Sequence, residues 1–151
     1  MKESPVEKKI HNNLKAGVIS IDGFLGNDKR HFHEIISEDR AVLIKLETTT
    51  EILADRMEHF TQTAFEHYDG PVIIEDHFEV NYRSYRGKMI CPFAHSGLYR
   101  KGEIILHNKK NDIRINWTPL NIHMLREHGF LEGKGSKHRL EPEKLYKALF
   151  E

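Results

Sequence analysis

The spacing of apolar residues changes at Gly70–Pro71, and this change constrains the fold more than any other feature of the sequence. Before this point apolar residues recur every three or four positions, which is the period of an amphipathic helix. After it, Phe78, Val80 and Tyr82 alternate with polar residues, as in a strand with one buried face. Helical spacing returns after Trp117. This order of elements predicts an α+β fold with a small, mainly antiparallel sheet.

The first predicted helix covers residues 29–46, where apolar residues recur at helical spacing. Asn27 or Asp28 is expected to cap its start, since short polar side chains accept hydrogen bonds from the free amides of a first turn. Only a few residues separate this helix from the next. The two helices are therefore expected to form an N-terminal helical hairpin packed with the sheet.

The second predicted helix covers residues 50–67 and begins at a capping box formed by Thr48 and Glu51. The turn at 69–71 ends it. Its expected apolar stripe consists of Ile52, Leu53, Met57, Phe60, Ala64 and Tyr68. A stripe of this kind predicts that one face of the helix is buried.

Three strands are expected in one antiparallel sheet, over residues 78–83, 103–108 and 113–117. The last two form a hairpin with a four-residue loop, and Trp117 is expected on its buried face. Arg86–Gly87 is expected to turn the chain out of the first strand.

The remaining segments complete a single α+β domain over residues 16–151, preceded by a polar N-terminal arm over 1–15. Thr118–Pro119 predicts a helix start, and Gly129 suits the left-handed residue that ends a helix. A final short helix is expected after Glu141–Pro142.

Composition excludes several classes of protein. Lys+Arg and Asp+Glu both number 23, so a general nucleic-acid-binding surface is not indicated, although a local basic patch stays open. The only cysteine is Cys91, which rules out an internal disulfide and fits a reducing compartment. The sequence has no secretory signal and no apolar run of bilayer length, which predicts a cytoplasmic protein without a membrane partner.

The residues that most strongly suggest chemistry are Cys91 and His95, together with His123 and His128. Zinc prefers thiolate and imidazole ligands in a tetrahedron, and closely spaced pairs let two chain segments supply two ligands each. His107 is a further possible ligand. The pattern favours a zinc-binding or regulatory module. The weakness of the pattern is that residues five apart in a helix do not share a face.

Two alternatives to the metal site stay open. Cys91 is a possible nucleophile activated by His95 or His123, so whether the chain is an enzyme is left undecided. The second alternative is an anion site over residues 133–139 of the glycine-rich loop 131–139, formed by Lys134, Ser136, Lys137, His138 and Arg139. Such a loop suits phosphate, because glycines expose backbone amides and the cations neutralise charge. An anion site of this kind predicts either a small enzyme or a protein that binds a nucleotide or a nucleic acid.

Four short strings, ISIDGFLG, CPF, WTPL and HGFLEGKGS, lie between residues 19 and 136. Taken together they resemble a family of small bacterial proteins described only as hypothetical cytosolic proteins. The resemblance implies a cytosolic location and no known activity, and it transfers no functional residue to this chain.

Overall fold

The computed structural model describes residues 3–67 and 70–151, and these form helices packed around a four-stranded antiparallel sheet. The elements are α1 (Pro5–Asn13), α2 (Phe32–Lys45), α3 (Thr50–Glu66), β1 (Val72–Ile74), β2 (Phe78–Ile90), β3 (Leu98–Asn108), β4 (Ile113–Trp117), α4 (Pro119–His128) and α5 (Pro142–Phe150). The predicted α+β class is therefore confirmed. Met1 and Lys2 of the predicted arm, Tyr68 of the predicted stripe and Asp69 of the predicted turn lie outside the described residues.

The sheet is a simple meander in the order β1-β2-β3-β4, with every neighbouring pair antiparallel. The three strands expected from alternation lie in this one sheet, and Trp117 is 0% exposed, as predicted. The indole Nε1 of Trp117 donates to Thr61 Oγ1 at 2.8 Å, and that hydroxyl donates to the carbonyl of Met57. A buried indole needs such a partner, and here it ties the sheet to α3.

Strands β2 and β3 are longer than the rest of the sheet and extend beyond it as a two-stranded ribbon. The predicted turn at Arg86–Gly87 is wrong, because β2 continues through it to Ile90. The two residues lie in an irregularity of the pairing between Ser84 and Lys88, where Gly87 has a φ of 98°. A glycine inside a strand often marks a bulge of this kind, and the bulge keeps the ribbon paired on both sides.

Helix α2 begins later than predicted. Its cap is His31, whose ring accepts from the amide of His33, whereas Asn27 and Asp28 lie outside the helix. The Asp28 carboxylate is instead occupied by Arg30, at 2.6 Å. This nearby guanidinium lowers the pKa of Asp28 well below its usual range.

Helix α3 begins one residue later than the predicted capping box. Thr49 is the cap, and its hydroxyl accepts from the amide of Ile52 at 3.2 Å. Thr48 is buried instead, and its Oγ1 has no hydrogen-bond partner among residues 3–67 and 70–151. Both threonines precede the helix in sequence, so local composition could not distinguish them.

We expect Thr49→Ala to lower the free energy of unfolding by about 1 kcal/mol, because it removes the cap of α3. Thr48→Val should leave stability unchanged or raise it, since the valine replaces a buried hydroxyl that lacks a partner. Urea unfolding followed by circular dichroism measures both. A larger loss for Thr48→Val than for Thr49→Ala would contradict the observed start of the helix.

Two apolar clusters form the core. The larger one joins α3, α5 and the sheet around Trp117, Phe60 and Met57. The smaller one lies toward the β2–β3 ribbon and joins Cys91 to side chains from α2, α4 and the loops, among them Leu14, Phe24, Phe32, Met124 and Phe130. Helix α4 contributes to both clusters, and its left-handed end residue is Gly129, as predicted. The segment that follows β2 is therefore packed against α4.

The predicted helical hairpin is confirmed in part. Helices α2 and α3 both form and follow each other closely, α2 contacts α5, and α3 contacts α4, α5 and β2. The predicted polar arm contains a helix, α1, which buries none of its own side chains. Leu14, directly after α1, is 0% exposed and fixes this segment to the smaller cluster.

Within the described part of the chain, no helix combines the length and the apolar character that crossing a membrane requires.

Candidate metal centre

The chain turns between the two strands of the ribbon, and this turn places Cys91 and His95. Cys91 directly follows β2, and the segment leads through Ala94 and Gly97, both with positive φ, into β3. Cys91 is 2% exposed, whereas His95 is exposed. The backbone amides of Phe93 and His95 point at the Cys91 sulfur, an arrangement that stabilises a thiolate.

Helix α4 supplies the two other histidines. His123 and His128 lie about 140° apart around an ideal helix axis, since each residue turns the helix by about 100°. Their rings nevertheless meet, with centroids 5.3 Å apart. His128 is the last residue of the helix before Gly129, and its ring stacks on Phe93 at 4.4 Å. The helix end and this stacking together bring His128 toward the turn.

The structure brings three residues of the predicted metal site into one group, and the fourth lies beside it. Ligand atoms of Cys91, His123 and His128 lie within 4.8 Å of one another, and the Cys91 Sγ to His128 Nε2 distance is 3.5 Å. His95 lies beside this group, with its Nδ1 3.1 Å from His123 Nε2. Zn–N bonds of about 2.0–2.1 Å and Zn–S bonds of about 2.3 Å separate tetrahedral ligand atoms by about 3.3–3.6 Å. The Cys91–His128 distance lies in this range, whereas the 4.8 Å limit for the whole group exceeds it. The Cys91, His123 and His128 group could hold a metal ion if the side chains move closer together.

Burial sets the protonation of these side chains. Burial, together with the neighbouring His123 and His95, lowers the pKa of His128 to about 4. Burial also lowers the pKa of His123, again with a contribution from His95. Both rings are therefore neutral near pH 7 and keep the free lone pair that a metal requires.

The alternative reading of Cys91 as an activated nucleophile receives no support. Burial raises the pKa of the Cys91 thiol, which outweighs the two backbone amides that lower it. A reactive cysteine needs the opposite shift, because the thiolate is the nucleophile. A metal ion, in contrast, displaces the thiol proton on binding.

The other histidines named from sequence lie elsewhere. His107, considered as a further ligand, is on β3 and its Nε2 lies 2.8 Å from Asp112. It pairs across the sheet with Arg114 and does not belong to the Cys91 group. The position of His107 on β3 and its contact with Asp112 keep the ring away from Cys91. The spacing of residues in the sequence did not reveal this.

The loop at 131–139 is less open than its composition suggests. The Arg139 side chain is only 6% exposed, and its guanidinium donates two hydrogen bonds to the Asp39 carboxylate, of 2.6 and 2.8 Å. The same guanidinium donates to the backbone carbonyl of Glu132. Ser136 donates to the buried Glu132 carboxylate, whose pKa is raised by burial. Of the five predicted anion-binding residues, these two already have internal partners.

Of the remaining three residues of the predicted anion site, only the two lysines are exposed. Lys134 and Lys137 are exposed, and the Lys134 backbone amide donates to Asp28 at 3.0 Å. His138 is bound to the buried carboxylate of Glu103, with Nε2 and Oε2 3.0 Å apart. The segment has no acidic residue between Gly133 and Arg139, but other parts of the chain supply carboxylates to it.

Sequence reasoning missed the carboxylates at Asp39, Glu103 and Glu132. Asp39 lies 100 positions from Arg139, and Glu103 lies 35 from His138. No local pattern marks such pairs. The one available signal was that Asp39 falls on the apolar face of a predicted helix, where an unpaired carboxylate would be costly.

Comparisons with protein-family models, with curated protein sequences and with solved structures each find no match to this chain.

Proposed function

We propose that this chain is a small zinc-binding module in which Cys91, His95, His123 and His128 hold one ion. The ion would fasten the turn between β2 and β3 to helix α4. The observation that carries the proposal is the convergence of the Cys91, His123 and His128 ligand atoms within 4.8 Å. Two distant chain segments supply these residues, and a set this compact requires both to be in place.

Ligand chemistry favours zinc over other ions. One thiolate with imidazoles is a typical zinc set, whereas calcium and magnesium prefer oxygen ligands. The immediate group contains no carboxylate oxygen. His95 is exposed and already 3.1 Å from His123, so a rotation of its side chain supplies a fourth ligand. Four protein ligands close the coordination sphere, which is typical of structural zinc.

Zinc would also compensate for a weakness of the smaller apolar cluster. Cys91 and the neighbouring Phe93 pack there beneath a turn that is otherwise exposed over 94–98. Binding energy at a site made only in the folded state adds directly to folding stability. The proposed role is therefore structural, presenting the ribbon in a fixed position.

The test is metal analysis and metal titration of the purified chain. We expect about one zinc ion per chain, and a cobalt-substituted form with tetrahedral d–d bands and a thiolate charge-transfer band. Free zinc at about 1,000 times its Kd should raise the free energy of unfolding by about 4 kcal/mol.

Matched variants separate this site from adventitious binding. Cys91→Ser and His128→Asn should each weaken zinc binding by more than about 100-fold, the upper loss seen when only a supporting group is changed. His59→Asn is the control, because His59 is half-exposed and lies near Glu75, outside the group. Absence of the thiolate band in the cobalt form would overturn the proposal.

His95→Ala determines the number of ligands. A loss as large as that of His128→Asn supports the closed, structural site. Unchanged zinc affinity in His95→Ala would leave three protein ligands and an open position, which is the pattern of a catalytic zinc. A cavity of about 390 Å³ adjoins Cys91 and His95, so a fourth ligand from solvent has access.

The alternative function, anion binding by loop 131–139 alone, receives less support from the contacts. Arg139 and Ser136 are occupied by Asp39 and Glu132. Their donors face the interior, so an anion would have to displace buried carboxylates.

A further inference from the structure

Charge is unevenly distributed along this electrically balanced chain. Residues 80–102 contain no Asp or Glu, and they carry Arg83, Arg86, Lys88, Arg100 and Lys101. All of these lie on the β2–β3 ribbon. A positive field concentrated on one element attracts anions even when the whole protein has no net charge.

Part of this ribbon borders a cavity of about 390 Å³. Arg86, Arg100 and Lys101 line it from the strands, and Lys137 lines it from the loop that precedes α5. Within residues 3–67 and 70–151, none of these four side chains forms a salt bridge. The Arg100 guanidinium lies 4.7 Å from the centre of the Phe65 ring, which does not line the cavity. The side chains of Arg86, Lys101 and Lys137 are therefore the three cations available to this concave surface.

One carboxylate, that of Glu103, also lines the cavity. It is 8% exposed and its Oε2 lies 3.0 Å from His138 Nε2. Burial alone would raise the pKa of Glu103, but hydrogen bonds from His138 and Asn116 outweigh it and lower that pKa. The charge of Lys137 also lowers the pKa of Glu103, so this carboxylate offsets part of the positive field of the cavity.

The rest of the lining is apolar or aromatic. Tyr85, Met89 and Leu120 form this wall, and Thr118 at the start of α4 completes it. Tyr85 is 47% exposed, so its ring face is available for stacking. The helix start also adds a positive dipole end. A cationic rim beside an aromatic wall suits a ligand that has both an anionic group and a planar apolar group.

We propose that this cavity binds a nucleotide, with its phosphate held by Arg86, Lys101 and Lys137 and its base against Tyr85 and Met89. The site is separate from the zinc ligands and does not depend on the proposed zinc function. The nucleotide comes either from a free mononucleotide or from a single-stranded nucleic acid, since both present a phosphate beside an unstacked base.

Binding is measured by calorimetry on the full chain, at fixed ionic strength, with AMP, ATP, inorganic phosphate, adenosine and a short single-stranded oligonucleotide. We expect saturable binding of a nucleotide, weaker binding of inorganic phosphate, and still weaker binding of adenosine. A mononucleotide that binds as tightly as the oligonucleotide identifies a free nucleotide as the source. Binding of the oligonucleotide alone, with affinity falling steeply as salt rises, identifies a strand.

The variant Arg86→Gln/Lys101→Gln should weaken nucleotide binding by at least about tenfold, because charge-assisted contacts to phosphate are lost. Lys45→Gln/Lys110→Gln removes the same charge from exposed positions outside the cavity and serves as the control. Melting temperatures of both variants establish that they fold. The proposal is overturned if no ligand saturates, if the two variants lose affinity equally, or if inorganic phosphate binds as tightly as any nucleotide.

Discussion

Replacing Met57 by aspartate is expected to remove a large part of the free energy of unfolding of the protein. Met57 is 0% exposed and lies in the larger apolar cluster. Its carbonyl accepts from the Thr61 hydroxyl, which in turn accepts from the Trp117 indole. The substitution removes a well-packed side chain and buries a carboxylate without a partner, at a cost of about 4 kcal/mol or more. Domains have only about 5–15 kcal/mol of stability in total, so this loss is a large part of it.

Ile52→Asp is the matched control for Met57→Asp. Both residues belong to the apolar stripe predicted for α3, but Ile52 is 48% exposed in the structure. Its replacement should change the free energy of unfolding by less than about 1 kcal/mol. Urea unfolding followed by Trp117 fluorescence measures both variants. Equal losses for the two would show that α3 does not bury the face described here.

Replacing Arg139 by alanine is expected to cost about 3–5 kcal/mol, although this residue lies in a glycine-rich basic loop. Its guanidinium and the Asp39 carboxylate are 6% and 7% exposed. Removing the guanidinium leaves a buried carboxylate and the Glu132 carbonyl without their donor. Breaking such a pair is costly because the remaining charge is not solvated.

Lys137→Ala is the control in the same loop, because Lys137 is exposed and should contribute less than about 0.5 kcal/mol. The double variant Arg139→Ala/Asp39→Ala should lose less stability than the sum of the two single variants, since no unpaired charge remains. Chemical unfolding of the four proteins provides these values. Additive losses would show that the two side chains do not act as a pair.

Elements that depend on local pattern were predictable. The hairpin of β3 and β4 follows from alternation on either side of a polar turn, and Trp117 is buried as that alternation requires. The end of α4 at Gly129 follows from the freedom of glycine to adopt positive φ. The spacing of Cys91, His95, His123 and His128 also anticipated their proximity, because two short-range pairs need only one tertiary contact to meet.

Other features were missed because their causes lie far away in sequence. The turn expected at Arg86–Gly87 is a bulge, since pairing with β3 continues beyond it. The cap of α3 is Thr49, whereas Thr48, which was predicted to be the cap, is buried. The cavity beside the ribbon joins β2, β3, α4 and the loop at 137–138, and no local pattern relates these segments.

The sequence by itself determined the class of fold and the strands that pair locally, and it pointed to four metal-site residues, three of which the structure brings within 4.8 Å of one another. These depend on periodicity, turn residues and ligand spacing, all of which act over a few positions. Only the tertiary structure decided which charges are compensated. Arg139 is neutralised by Asp39 from 100 positions away, whereas Arg86 and Lys101 line a cavity and form no salt bridge in the described part of the chain. Electrostatic pairing depends on distance in space, and the packing of helices on the sheet sets that distance.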